Sequence, residues 1–153
     1  MDIRHYHLRS RDQRWIRQDA SGEDAILVWH DIRLEESGED LQNLGAYLSS
    51  LNADPEAVAA CMLPVSFPDV DVSGGCVFLR FPLRKQWDSQ RAVYVMLLCI
   101  KGVLISIGAP DTPLFDRALQ RLENGSELAE PSSQALLFFI MDLCTDISTR
   151  QYM

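Results

Sequence analysis

Residues 92–108, AVYVMLLCIKGVLISIG, hold two apolar runs either side of a short polar break. From Ala92 to Ile100 the run is apolar almost throughout. At this length it is far short of the roughly 18–20 residues a membrane-spanning helix needs. Lys101-Gly102 then separates it from a second apolar stretch, Val103 to Ile107. A two-residue link between two such runs is the mark of a tight β-hairpin. A strand that is apolar on both faces must be covered on both. The hairpin therefore predicts a sheet buried between two layers, with the helices of the chain as the covering material.

On the N-terminal side, the sequence from Val65 reads as consecutive strands. Val70 and Val72 alternate with Asp69 and Asp71, Gly74-Gly75 is a turn signal, and Cys76 to Leu83 is a strand running up to Pro82. Further upstream the period changes. Leu41, Leu44, Leu48 and Leu51 fall at spacings of three, four and three, one stripe on a helical face. Ser37 suits an N-cap, with Glu39 and Asp40 in the first turn, where the helix dipole favours negative charge. Asp54-Pro55 opens a second helix, kept short because Pro64 and Pro68 exclude it further on. Before these helices lie three candidate strands: Ile3 to Leu8, a partner within Gln13 to Gln18 ahead of a turn at Ser21-Gly22, and the apolar segment Ala25 to Ile32.

Downstream of the hairpin, Asp111-Thr112-Pro113 is a cap followed by proline. Leu114, Ala118 and Leu122 then continue at helical spacing to a stop at Asn124-Gly125. Pro131-Ser132-Ser133 opens the last helix, with Leu136, Phe139, Ile140, Leu143 and Ile147 on its apolar face. That helix reaches Arg150 to Met153 without a terminator, the pattern of a segment that continues downstream. The order is three strands, two helices, a run of strands and two helices. Such segregation predicts an α/β chain of the α+β kind, a mixed β-sheet sandwiched between helices and forming one domain over residues 1–153.

Composition narrows the function. The formal net charge is −8, so the chain as a whole repels phosphate backbones and nucleic-acid binding is not expected. Arg4, Arg9, Arg11, Arg14 and Arg17 cluster early, which leaves the body of the chain acidic. The four cysteines, Cys61, Cys76, Cys99 and Cys144, form no C-x-x-C pair and read as reduced core thiols of a cytosolic protein. The N-terminus has no secretory h-region. The longest apolar runs, Ala92 to Ile100 and Ala135 to Met141, cannot cross a bilayer, so a soluble chain is expected.

No catalytic motif emerges: there is no G-x-G-x-x-G, P-loop, H-E-x-x-H or G-x-S-x-G, and no enzyme is expected. His5 and His7 share a strand face and can reach one metal; the alternative is two exposed polar residues on an edge strand. His30 and Asp31, as neighbours on a strand, face opposite sides. Asp69 and Asp71 share a face and offer oxygen to a hard cation, or are simply solvated. Asp142 and Asp146 stand at i, i+4 on the last helix, where like charges repel mildly unless a cation or an arginine compensates. They are the weak metal candidates; no metal, cofactor or catalytic residue is assigned.

Several segments, taken in order, resemble the N-terminal cytoplasmic domain of CorA-type divalent-cation transporters. They are Trp29-His30-Asp31-Ile32, Asp54-Pro55 to Met62, Phe67-Pro68-Asp69-Val70-Asp71 with Gly74-Gly75-Cys76-Val77-Phe78-Leu79, Val93 to Ser106, Leu114 to Gly125, and Gln134 to Ile147. The match is collinear over residues 25–149. The resemblance implies an α/β/α sandwich on the cytoplasmic side of the membrane, with a regulatory or assembly role in a pentameric channel. Its partners would be further copies of itself and divalent cations, Mg2+ or another. No resident cofactor is required. In that family a stalk helix, two membrane helices and a Gly-Met-Asn pore signature follow; none lies within these residues, so membrane contact would come through that further region and this chain alone would not conduct. The family's magnesium-sensing members carry an acidic residue where Ala60 stands here, which tells against that site and favours a ZntB-like, zinc-transporting branch. The other reading is a stand-alone binding module that kept the fold.

Overall fold

The computed structural model describes residues 1–9, 15–17, 25–34, 38–61, 69–73, 76–84, 92–100, 102–108, 113–123 and 132–152. The elements follow the predicted order: β1 (Asp2–Arg9), β2 (Trp15–Arg17), β3 (Ala25–Arg33), α1 (Gly38–Ser50), α2 (Pro55–Cys61), β4 (Asp69–Ser73), β5 (Cys76–Arg84), β6 (Ala92–Ile100), β7 (Val103–Gly108), α3 (Pro113–Glu123) and α4 (Ser133–Tyr152). The expected signals at Ser21-Gly22, Ser37, Pro64, Pro68, Gly74-Gly75, Asp111-Thr112 and Asn124-Gly125 lie outside the described residues.

The strands form one seven-stranded sheet in the order β2-β1-β3-β7-β6-β5-β4. Strands β4 to β7 make an antiparallel meander and β1 to β3 a second antiparallel unit. The two units join at a single parallel seam between β3 and β7, which makes the sheet mixed. At the β6–β7 hairpin, Ile100 pairs with Val103 and Gly102 has φ of 75°. That left-handed conformation costs glycine little and other residues more.

Alternation on the central strands sends side chains into two separate cores. Leu27, Trp29, Val95, Leu97 and Leu104 pack with Leu114, Phe115 and Ala118 of α3 and Leu136, Leu137 and Ile140 of α4. On the other face Ile32, Leu98, Ile105 and Ile107 pack with Leu44 and Leu48 of α1 and Ala57 of α2. The sheet is thus sandwiched, and β6 is apolar throughout because it serves both cores. Ser132 caps α4: its hydroxyl accepts the Ala135 amide at 3.1 Å.

One local expectation is borne out and one is corrected. Strand β5 spans the expected Cys76 to Leu83 and one residue more, to Arg84, with Pro82 paired to Tyr94. Proline is tolerated there because β4 pairs with β5 only as far as Arg80, so Pro82 lies where one side of β5 has no β4 neighbour. In α1 the leucine stripe holds at Leu44, Leu48 and half-buried Leu51, but Leu41 is exposed and Asp40 is buried in its place. Both positions flank the stripe one turn before Leu44. The Met1 amine, 3.0 Å from the Asp40 carboxylate, accounts for the choice.

Candidate functional site: two polar clusters on opposite faces of β3

Polar side chains gather on both faces of β3 beside the parallel seam. On the α3 side, Trp29, Asp31 and Arg33 project together, as period-two alternation requires. Trp29 is fully buried, its ring against Tyr6 (centroids 5.2 Å apart) and edge-on to Phe115 at 6.4 Å. Its Nε1–H donates to Ser106 Oγ at 2.7 Å, and the Ser106 hydroxyl donates to Asp31 Oδ1 at 3.0 Å. The Arg33 guanidinium grips the same carboxylate through Nε at 3.0 Å and Nη2 at 2.9 Å, both to Oδ2. Arg33 Nη2 also reaches Asp116 Oδ1 on the first turn of α3 at 3.2 Å, and its guanidinium lies 5.5 Å from the centre of the Phe115 ring. Arg4 of β1 touches the same Asp116 oxygen at 3.5 Å.

This network joins β1, β3, β7 and α3 at one point. Burial pushes the Asp31 carboxyl upward, against the pull of Arg33 and Ser106. Burial also opposes the Arg33 charge, but Asp31 outweighs it and holds the guanidinium above its ordinary range. Arg33 stays charged, and its paired hydrogen bonds favour the carboxylate form of Asp31 against burial. Because Arg33 and Ser106 already occupy both Asp31 oxygens, the carboxylate has little left to offer a cation or a reacting proton. The arrangement is a lock between layers.

On the α1 side, three imidazoles share one sheet face. His5 lies opposite His30 in the β1–β3 register, with ring centroids 4.7 Å apart at 73°. His7 follows two residues along and is buried; its Nδ1 has no hydrogen-bond partner among the described residues. His30 Nδ1 is hydrogen-bonded to the Tyr47 hydroxyl of α1. Burial, helped by His5 and His7, pushes the His30 pKa down to about 4. His7 is lowered by burial and then by His5, and burial raises Tyr47. His7 and His30 are accordingly neutral at pH 7.

The expectation that His5 and His7 share a face holds, but they are not on an edge strand: β1 lies between β2 and β3. His30 joins them, and nothing in the sequence announces that, because cross-strand register is set by the fold. His30 and Asp31 do face opposite sides. Among the described residues no three histidine, cysteine or acidic side chains gather at metal-binding distance. Asp142 is exposed on α4, while the side chains of Asp69, Asp71 and Asp146 lie outside the described part. Ala60 is half-buried against the α1 core, and its carbonyl accepts Arg80 Nη1 at 3.0 Å. Cys76 and Cys99 are buried free thiols, one in each core, and Cys61 and Cys144 lie outside the described side chains. No helix among the described residues is long and apolar enough to cross a membrane.

No family model matches the chain, and no curated protein does. Solved structures do. The complete CorA magnesium transporter of Methanocaldococcus jannaschii superposes with a TM-score of 0.67 at 15% identity, covering 98% of this chain. The fold is that of the CorA soluble domain. The full-length CmaX protein gives a TM-score of 0.71 at 10% identity over 98% of this chain. The ZntB cytoplasmic domain of Vibrio parahaemolyticus gives 0.66 at 14% identity, covering 94% of this chain and 57% of its own. At these identities the likeness is one of fold. The chain spans 46% of the length of the CmaX and CorA chains.

Proposed function

We propose that this chain is the cytoplasmic domain of a CorA-like divalent-cation transporter and serves assembly or regulation in a homo-oligomer, a pentamer in the full protein. One observation carries this reading: nearly the whole chain superposes on the CorA transporter, in a sandwich built from the segments whose order in the sequence resembles that family. The Methanocaldococcus jannaschii neighbour, whose name states an activity, is a magnesium transporter. The saturated Asp31–Arg33 network also favours a scaffold over a reaction centre.

Magnesium sensing at the Ala60 position of α2 is not expected, and a ZntB-like, zinc-transporting branch is the second reading. Ala60 has no carboxylate to give a hard cation, which oxygen ligands would have to hold. The isolated domain should bind magnesium weakly or not at all by calorimetry; a tight stoichiometric site would overturn this part of the reading.

The decisive test is the coding sequence beyond Met153. A reading frame that continues into two apolar segments of about 20 residues is the expected result. The protein it encodes, reconstituted into vesicles, should then admit divalent cations. A frame that ends without such segments would favour a stand-alone module.

A further inference from the structure

We infer that His5, His7 and His30 form a proton-sensitive contact through which acidification loosens α1 and the N-terminal strand β1 from the sheet. The three rings occupy one face of two paired strands, with His5 edge-on to His30 at 4.7 Å and His7 two residues further along β1. Cross-strand neighbours lie about 5 Å apart at Cβ, and alternate residues of a strand about 7 Å apart. Each charge added to one ring is therefore felt by the other two.

Among the described residues no acidic side chain offsets such charge, and β2 sets Ile16 opposite His7. None of the three rings has a carboxylate partner among the described residues. Tyr47 of α1 meets His30 with a hydroxyl that burial keeps protonated. Asp40, at the far end of α1, is engaged by the Met1 amine, and Glu39 is exposed. On β7 the residues of this face are Val103, Ile105 and Ile107, and α2 contributes only exposed Glu56, with Asp54 just ahead of it. Asp2, Arg4, Asp31 and Arg33 stand on the opposite face of β1 and β3. His7 already buries an Nδ1 without a partner, and protonation would add a buried charge to that unmet group.

The sign of the effect follows. In the unfolded or opened chain these imidazoles protonate near the ordinary histidine value of about 6.5. In the closed form His30 resists protonation down to about 4, and His7 is shifted the same way. Between those limits the open form binds more protons, so closure is fully stable above about pH 6.5 and weakens as pH falls. Opening should gain about tenfold per pH unit for each imidazole that protonates on release. The contact lies on the α1 face of β1 and β3, whereas α4 packs on the opposite face of the sheet, so α4 should stay docked while α1 opens.

The test uses the whole 153-residue chain. Amide exchange in α1 and α4, compared between pH 7 and pH 5, should show α1 losing protection selectively. His30→Gln keeps a hydrogen-bonding group for Tyr47 and cannot charge; together with His7→Leu it should abolish the selective loss. Equal loss in both helices, or a selective loss that survives both substitutions, overturns the inference. Should the variants fail to fold, ring titration by NMR in the native chain decides: His30 titrating near 4 supports the contact, and titration of His7 and His30 near 6.5 overturns it.

Discussion

The two faces of β3 solve one problem in opposite ways. Both bury polar side chains beside the same parallel seam. On the α3 face every group is matched: Trp29 to Ser106, Ser106 to Asp31, Asp31 to Arg33, and Arg33 to Asp116. On the α1 face His7 and His30 are kept neutral by burial, and one nitrogen of His7 goes without a partner among the described residues. A matched ionic network resists change until a member is removed. A neutral cluster resists little at pH 7 and yields to protons. Two kinds of stability are thus separated by the thickness of one strand.

The sharpest way to break the comparison is to remove one ion. Asp31→Ala removes the carboxylate that the buried Arg33 guanidinium grips, while exposed Asp116 stays 3.2 Å from it. Loss of one member of a buried pair typically costs about 3–5 kcal/mol, and chemical denaturation should show that loss. Replacing Asp31 and Arg33 together with leucine should cost much less, because no orphaned charge remains. Ser106→Ala comes next. It removes the acceptor of the buried Trp29 indole N–H and a donor from Asp31, so a loss of about 1–3 kcal/mol is expected. The same kind of change on the other face has the opposite sign: His7→Leu removes an unpaired polar atom and should leave stability at pH 7 unchanged or slightly raised. If His7→Leu costs as much as Ser106→Ala, the contrast between the faces fails.

How much of this was legible beforehand depends on which interactions are local in sequence. The element order followed from local signals: the Lys101-Gly102 link, the change of period at Leu41, and the proline stops. That Trp29, Asp31 and Arg33 share a face, and that His30 does not, follows from alternation alone. What alternation cannot supply is register. Ser106 looks like an ordinary polar interruption in an apolar strand until β7 is laid parallel to β3, where it falls opposite Asp31. Likewise His30 joins His5 only once β1 is paired antiparallel with β3. Asp40 displaced Leu41 from the stripe through a contact with Met1, 39 residues away in sequence, which no helical window detects.

That contact yields the smallest and most exacting prediction. Helix α1 meets the β1–β3 unit at polar points that include Asp40 with the Met1 amine at its N-terminal end and Tyr47 with His30 two turns later. Asp40→Asn removes a partly buried ion pair and should cost about 1 kcal/mol, near the upper end for such pairs. Tyr47→Phe removes one hydrogen bond, a comparable loss. Seven residues place the two points about 10 Å apart along the helix, beyond the range at which separate sites usually couple. At pH 7 the double variant should therefore show the sum of the single losses to within about 0.5 kcal/mol. At pH 5 the two should stop adding. With the imidazoles protonated in the open form, α1 detaches as a unit, and weakening either end promotes the same opening. Additivity at pH 7 that gives way at pH 5 would tie the helix to its histidines, whereas additivity at both would show the two ends acting independently throughout.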